Sequence, residues 1–388
     1  MTNRQHLGFF MPSIKVGGVE RTLLNILTEL ANRDFRLTVL TSQLPDKFKS
    51  QLPENVEIQL IGSITATPFF LKPFSAKSRT SLNAMWGLAK FLKQEQPDAL
   101  YSFQGSTVAV VARFLVKSKT QLFVRESNTP SQSFIHDGYI ARKAKIRLKR
   151  TLYKKANTVI SVSEGVADDL VQSVKIPRAK IKVIYNPTFT PQLIEMAVEP
   201  LEHKWLNTTA KVPVIISVGR LSKQKDHLTL IDAFALVRKT QDARLIIVGE
   251  GPERMALERR ANELEISADI DLVGEHSNPY KYLSRANLFV LSSIFEGLPN
   301  AVIEAVACGL PVVATDCPSG PREILLNGAA GTLVPVGNPE RMAEAILAYL
   351  NDPALAELHV QAGNDSLARF TPQRAADSYL SLIDEFKH

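Results

Sequence analysis

Twice along this chain a short β-rich apolar run gives way to Gly, Pro or Ser and then to an amphipathic helical segment. The first series predicts strands at 6–12, 36–41, 56–61, 99–103, 121–125, 158–162 and 182–185, with helices at 19–32, 82–94, 107–116, 139–155 and 164–173. The pattern restarts with strands at 212–218, 244–248, 269–273, 287–291, 311–314 and 331–334 and helices at 227–240, 253–264, 300–307, 339–350 and 372–386. Alternating βα units of this kind fold as parallel sheets covered by helices on both faces. Two series, joined across 186–210 where Pro187, Pro191 and Pro200 cluster, imply two doubly wound α/β domains. Such sheets bind ligands beyond the carboxyl ends of their strands, so the chemistry belongs in strand-to-helix loops.

A chain of 388 residues can build two full cores. Apolar residues at 45% and charged residues at 22% exclude disordered, collagenous and fibrous classes. No secretory leader is expected in residues 1–30, and no apolar run approaches the roughly 18 residues of a spanning helix. Cys308 and Cys317 make neither a disulfide framework nor a metal site, and a reduced, cytoplasmic protein is expected, with Cys308 packing a helix. The net charge of +7 is unevenly spread: 28 Lys/Arg against 13 Asp/Glu up to Pro187, then 18 against 26. A strongly basic half points to an anionic surface. Without interleaved aromatics or a nucleic-acid motif, nucleic acid is not the expected partner.

Three loops stand out. Gly17-Gly18 opens the first helix, where unpaired N–H groups can meet a phosphate; a plain tight turn is the alternative. Gly219-Arg220 through Lys225 and Asp226 follows an apolar strand; two cations five apart can grip a diphosphate, Asp226 can cap the next helix, and a solvated loop is the alternative. Glu296-Gly297-Leu298-Pro299-Asn300-Ala301 leads into a helix carrying Glu304 one turn in. Free N–H groups at Asn300, Ala301 and Val302 can take an anion, and the two carboxylates can accept vicinal hydroxyls, unless they only complement the helix dipole. Asp269-Ile270-Asp271 spells a metal-binding string, but a strand there would set both carboxylates on one face at the sheet's start, away from the ligand loops.

Glu296-x7-Glu304, Gly219-Arg220 with Lys225, Gly17-Gly18 and Asn186-Pro187 resemble the signature of retaining glycosyltransferases of family 4, and residues 248–252 and 311–325 are similar to further segments of that family. The resemblance implies the GT-B fold: two Rossmann-like domains facing across a cleft, with residues 1–187 binding the acceptor, 188–370 the nucleotide-sugar, and 371–388 returning as a helix to the first domain. It implies that Arg220 and Lys225 hold the diphosphate, Glu296 the donor sugar and Glu304 the ribose, with Gly18 approaching the distal phosphate and Gly274 and His276 bordering the base. Gly17, Gly219, Gly297, Leu298, Asn300 and Ala301 complete the donor loops. A UDP-sugar is expected ahead of a GDP-sugar, with no metal because the Arg/Lys clamp takes its electrostatic role. Many relatives place a His near the anomeric carbon. Here 125–129 reads Arg-Glu-Ser-Asn-Thr and the preceding loop begins with Gln104, so Glu126 or Asn128 is expected near the reacting centre, ahead of His136.

The segment 139–155 carries Arg142, Lys143, Lys145, Arg147, Lys149, Arg150, Lys154 and Lys155 around a stripe of Ile140, Ala144, Leu148 and Leu152. A basic amphipathic helix lies on an anionic membrane or forms a solvated outer helix. Phe69, Phe70 and Phe74, between Pro68 and Pro73, can dip into lipid, clasp an acceptor tail or tuck onto the core. The expected function is transfer of a sugar to a hydroxyl of a lipid-linked glycan at the inner membrane face. Alternatives are a soluble synthase acting on a small sugar phosphate and a non-catalytic nucleotide-sugar sensor.

Overall fold

The computed structural model describes residues 4–14, 17–62, 76–133, 138–206 and 212–386. Phe69, Phe70, Phe74 and His136 lie outside them. The chain divides into two compact units: residues 1–187 with 372–388, and residues 188–371.

The first unit is a seven-stranded parallel sheet of β1 (Gln5–Phe10), β2 (Phe35–Thr41), β3 (Val56–Leu60), β4 (Ala99–Ser102), β5 (Gln121–Glu126), β6 (Thr158–Ser161) and β7 (Ile181–Val183), in the order β3-β2-β1-β4-β5-β6-β7. The second is a six-stranded sheet of β8 (Val214–Val218), β9 (Arg244–Val248), β10 (Ile270–Gly274), β11 (Leu288–Leu291), β12 (Val312–Thr315) and β13 (Thr332–Val334), in the order β10-β9-β8-β11-β12-β13. All pairings within both ladders are parallel. The doubly wound α/β expectation is met. Strand order reverses between β1 and β4 and again between β8 and β11, the places where such sheets open a ligand crevice. The loops after β1, β8 and β11 are the three singled out above.

The central strands are buried on both faces, which is why they read as continuous apolar runs. The first core gathers Leu7, Phe9, Leu37, Tyr101 and Phe123 with Tyr379, Leu382 and Ile383 of the last helix, Pro372–Asp384. Phe9, Tyr101 and Phe123 stack in series, and the Tyr101 hydroxyl donates to the Tyr379 carbonyl at 2.6 Å. The terminal helix is thus a structural part of the first unit. The second core forms around Ile215, Ile247, Val290 and Phe234.

Three expectations need correction. The predicted helix 164–173 is α-helical only over Glu164–Asp169, then widens to a π-helix at Leu170–Val174 that ends on Lys175 in the left-handed region. Asp269 closes a 3-10 turn before β10 instead of lying in the strand. It pairs with Arg238 and Arg244, while Asp271 pairs with Lys204, so cations hold the two carboxylates separately. Helix Pro353–Ser366, capped by Asp352, was not anticipated.

Among the described residues no helix is long and apolar enough to cross a membrane, and no three His, Cys, Asp or Glu side chains group closely enough to hold a metal.

Candidate functional site

In the second unit, the loops after β8, β11 and β12 are bound into one polar assembly. Lys225 Nζ lies 2.6 Å from Glu296 Oε1, which also accepts the Ser293 hydroxyl at 2.6 Å. The pair is largely buried, so each charge depends on the other. Gln224 donates to the Phe295 carbonyl at 2.9 Å, Ser292 to the Lys225 carbonyl at 2.7 Å, and Thr315 to the Ser293 carbonyl at 2.6 Å. Ser319 donates to the Gly297 carbonyl at 2.7 Å. Gly320, at φ +95°, packs so tightly that a Cβ would stand 2.5 Å from Pro299 Cδ. Sequence reasoning missed Gln224, Ser292, Ser293, Thr315 and Ser319. Each lies within a few residues of a flagged position, but only the fold brings the three loops together.

Arg220 is on the same β8 loop but is exposed, without a hydrogen bond or ion pair among the described residues. The two expected clamp cations are therefore unlike: Lys225 is held on a carboxylate, while Arg220 is unengaged. The backbone between them is fixed, with Gly219 donating to the Val248 carbonyl and Leu221 to the Glu250 carbonyl. Gly249, at φ +151°, is obligatory, since a Cβ would fall 2.0 Å from the Gly219 carbonyl oxygen. Asp226 does precede helix His227–Arg238, but its side chain makes no cap bond; it accepts the Thr229 hydroxyl at 2.7 Å. His227 beside it is deeply buried and held down to about 3, by desolvation and then by Lys225.

Helix Asn300–Ala307 starts as expected after Pro299, with Leu298 buried ahead of Asn300 and Ala301. The Val302 N–H is not available to an anion, because it donates to the Pro299 carbonyl. Glu304 is buried and accepts the Tyr280 hydroxyl at 3.3 Å. Buried Cys317 is pushed up to about 12 by desolvation, with the Glu296 charge adding to it. On the β10 side, the Gly274 carbonyl accepts the Gly249 N–H at 2.8 Å, and His276 Nε2 lies 3.2 Å from the Val273 carbonyl and 3.1 Å from the Tyr282 hydroxyl.

In the first unit, Gly18 begins helix Gly18–Ala31 with Gly17 at the cap. Gly17 is extended at φ 176°, a conformation any residue adopts. A Cβ there would lie 2.8 Å from the carboxylate of Glu20, the movable end of a side chain in the helix's first turn. Glu126, at the carboxyl end of β5, is ion-paired with Lys149 and accepts the Tyr153 hydroxyl at 3.0 Å. Lys149 therefore faces inward, correcting its assignment to the membrane-facing set. Asn128 Oδ1 accepts the next residue's N–H. Arg125 is fully buried and donates to Asn186 Oδ1 at 2.6 Å, and Asn25 donates to the Pro187 carbonyl at 2.6 Å. The Asn186-Pro187 pair is thereby pinned where the chain leaves the first unit.

Residues 16–190 match the family model described as Glycosyltransferase Family 4, and residues 199–366 match the one described as Glycosyl transferases group 1. The chain is 31% identical over 384 residues to N-acetylgalactosamine-N,N'-diacetylbacillosaminyl-diphospho-undecaprenol 4-alpha-N-acetylgalactosaminyltransferase of Campylobacter jejuni, covering 98% of this chain and 99% of that one. The chain belongs to glycosyltransferase family 4. The lipopolysaccharide core biosynthesis glycosyltransferase LpsD of Rhizobium meliloti is 26% identical, over 95% of each chain. The family 4 enzyme also shares its fold with Anabaena Alr3699/HepE, solved in complex with UDP-glucose, at a TM-score of 0.78 and 19% identity over 99% of this chain and 100% of that one. Two parallel Rossmann-like sheets make this glycosyltransferase a GT-B protein.

Proposed function

We propose that this glycosyltransferase moves a sugar, with retention of anomeric configuration, from a UDP-sugar to a hydroxyl of a lipid-linked glycan in surface polysaccharide or glycolipid synthesis. The observation that carries the donor half is the ion pair of Lys225 and Glu296 at the carboxyl end of the β8/β11 switch point, with Arg220 unengaged on the same loop. Arg220 and Lys225 hold the diphosphate and neutralise the charge that develops as it leaves, in place of a metal. When Lys225 turns to phosphate, Glu296 is released to accept hydroxyls of the donor sugar; Glu304 takes the ribose, and Gly274 and His276 border the base. In the first unit, Gly17 and Gly18 offer backbone donors suited to a phosphate, and Glu126 and Asn128 serve the acceptor.

The reaction is front-face. The acceptor oxygen attacks as the sugar–phosphate bond breaks, and its proton passes to the departing diphosphate, so no enzymic nucleophile is needed. The Campylobacter relative is named for a diphospho-undecaprenol glycan acceptor, which supports a lipid-linked acceptor here. The basic first unit supports work at the inner face of the plasma membrane, on an anionic lipid surface. The test is to screen a nucleotide-sugar panel by thermal shift, then assay transfer to a lipid-linked glycan and read the product anomer by NMR. An α-donor giving an α-product is expected. An inverted product, or turnover only on a soluble sugar phosphate, would overturn the reading.

A further inference from the structure

The short helix Tyr280–Leu283 follows β10, and both of its tyrosines, Tyr280 and Tyr282, are buried. Two residues along a helix is about 200° around it, so the rings leave on opposite sides. The Tyr280 hydroxyl donates to Glu304 Oε1 at 3.3 Å, and the Tyr282 hydroxyl lies 3.1 Å from His276 Nε2. One turn thus holds both side chains assigned to the nucleoside. The turn is itself anchored. Asn278 accepts the Tyr280 N–H at 3.0 Å and donates to the Met196 carbonyl and the Glu199 carboxylate, each at 2.8 Å. Ser284 donates to the Ala197 carbonyl at 2.7 Å, and Arg285 to the Glu199 carbonyl at 2.9 Å. The Tyr282 ring packs against two imidazoles, its centroid 4.9 Å from that of His276 and 6.0 Å from that of His203.

These neighbours select the tautomer of His276. Nε2 lies 3.2 Å from the Val273 carbonyl, which can only accept. A proton on Nε2 serves both that carbonyl and the Tyr282 oxygen, whereas a bare Nε2 would set its lone pair against the carbonyl. The neutral ring then has no proton on Nδ1, and Nδ1 takes no hydrogen bond among the described residues. His276 is only half-buried, so a ligand can reach the ring. A free acceptor selects a donor. Uracil carries an N–H at N3, where cytosine carries a lone pair.

We propose that His276 Nδ1 accepts the N3–H of a uracil base, and that Tyr282 is the positioning residue that holds His276 in the tautomer and orientation this requires. The role rests on the placement of the base at Gly274 and His276 proposed above and deepens it, assigning selection between pyrimidine nucleotides to one ring nitrogen. Cytosine would meet that nitrogen lone pair to lone pair and leave both groups unpaired.

The test is calorimetric titration of UDP and of CDP into the full-length wild type, His276→Phe and Tyr282→Phe at about pH 8, where imidazole is neutral. Wild type is expected to prefer UDP by about tenfold or more. His276→Phe keeps a ring beside the base but no acceptor, and should bind the two nucleotides within about threefold of each other. Tyr282→Phe should weaken UDP by about threefold and leave CDP unchanged. Proton–nitrogen correlation NMR of His276 should show the proton on Nε2. A proton on Nδ1, or a His276→Phe variant with the full preference, would overturn the role of His276. Equal weakening of UDP and CDP in Tyr282→Phe would reduce Tyr282 to a packing residue. Wild type that binds UDP no more tightly than CDP would overturn the uracil assignment and spare the donor site; wild type that binds neither would overturn the placement of the base as well.

Discussion

Lys225 and Glu296 are the residues on which the loops after β8 and β11 close. Removing one partner of a buried pair leaves an unpaired charge, so Lys225→Met should cost about 3 kcal/mol of stability. The double substitution Lys225→Met/Glu296→Gln should recover part of that loss without recovering transfer. Denaturant unfolding of the two variants and the wild type, set beside activity, checks both halves of the prediction. His227 sets a pH dependence of its own. Its folded value of about 3 lies below the ordinary 6.5, so acidification protonates the unfolded chain first. Its contribution is intact above pH 6.5 and is lost as pH falls toward 3, reaching about 2 kcal/mol at pH 5. His6 and His203, also lowered by burial, bend stability in the same direction. His227→Gln should therefore flatten the acid side of a pH–melting profile without abolishing its slope.

At the scale of elements, the rhythm of strands and helices was legible because buried parallel strands must be short and apolar, and covering helices amphipathic. Less could be read where packing departs from the apolar pattern. Helix Pro353–Ser366 buries little besides Gly363 and Ser366, so it lacks a stripe to betray it. In the basic helix the apolar positions Ile140 and Leu148 face outward while Lys149 goes in, because Glu126 on β5 supplies a buried counter-charge. Lys149→Met should accordingly destabilise the first unit by about 2–3 kcal/mol, an effect that Glu126→Gln in the same chain offsets. The loops after β8, β11 and β12 show the same division. Glycines and charges announced them, whereas the Ser and Thr hydroxyls that tie them together carry no local signal. Gly249→Ala tests how rigid that assembly must be: a Cβ against the Gly219 carbonyl should displace the β8 loop and weaken UDP binding by at least about tenfold, measured by calorimetry.

For the whole molecule, the chain leaves the first unit at Pro187 and re-enters it at Pro372. The returning helix fills the first core with Ala375, Ala376, Tyr379, Leu382 and Ile383. Ending the chain at Thr371 should expose residues 4–187 to limited proteolysis while residues 188–371 persist as a resistant fragment. Equal resistance of both units would show that the helix is dispensable to the first core.

The central claim is that the loop after β8 holds the donor's diphosphate, and Arg220 tests it most directly because it is exposed and unengaged, so its loss leaves the fold intact. The measurement is calorimetric titration of UDP into wild type and Arg220→Ala. The account predicts roughly 10- to 100-fold weaker binding at an unchanged melting temperature, the loss of one charge-assisted phosphate contact. Equal affinity in the two proteins would contradict it.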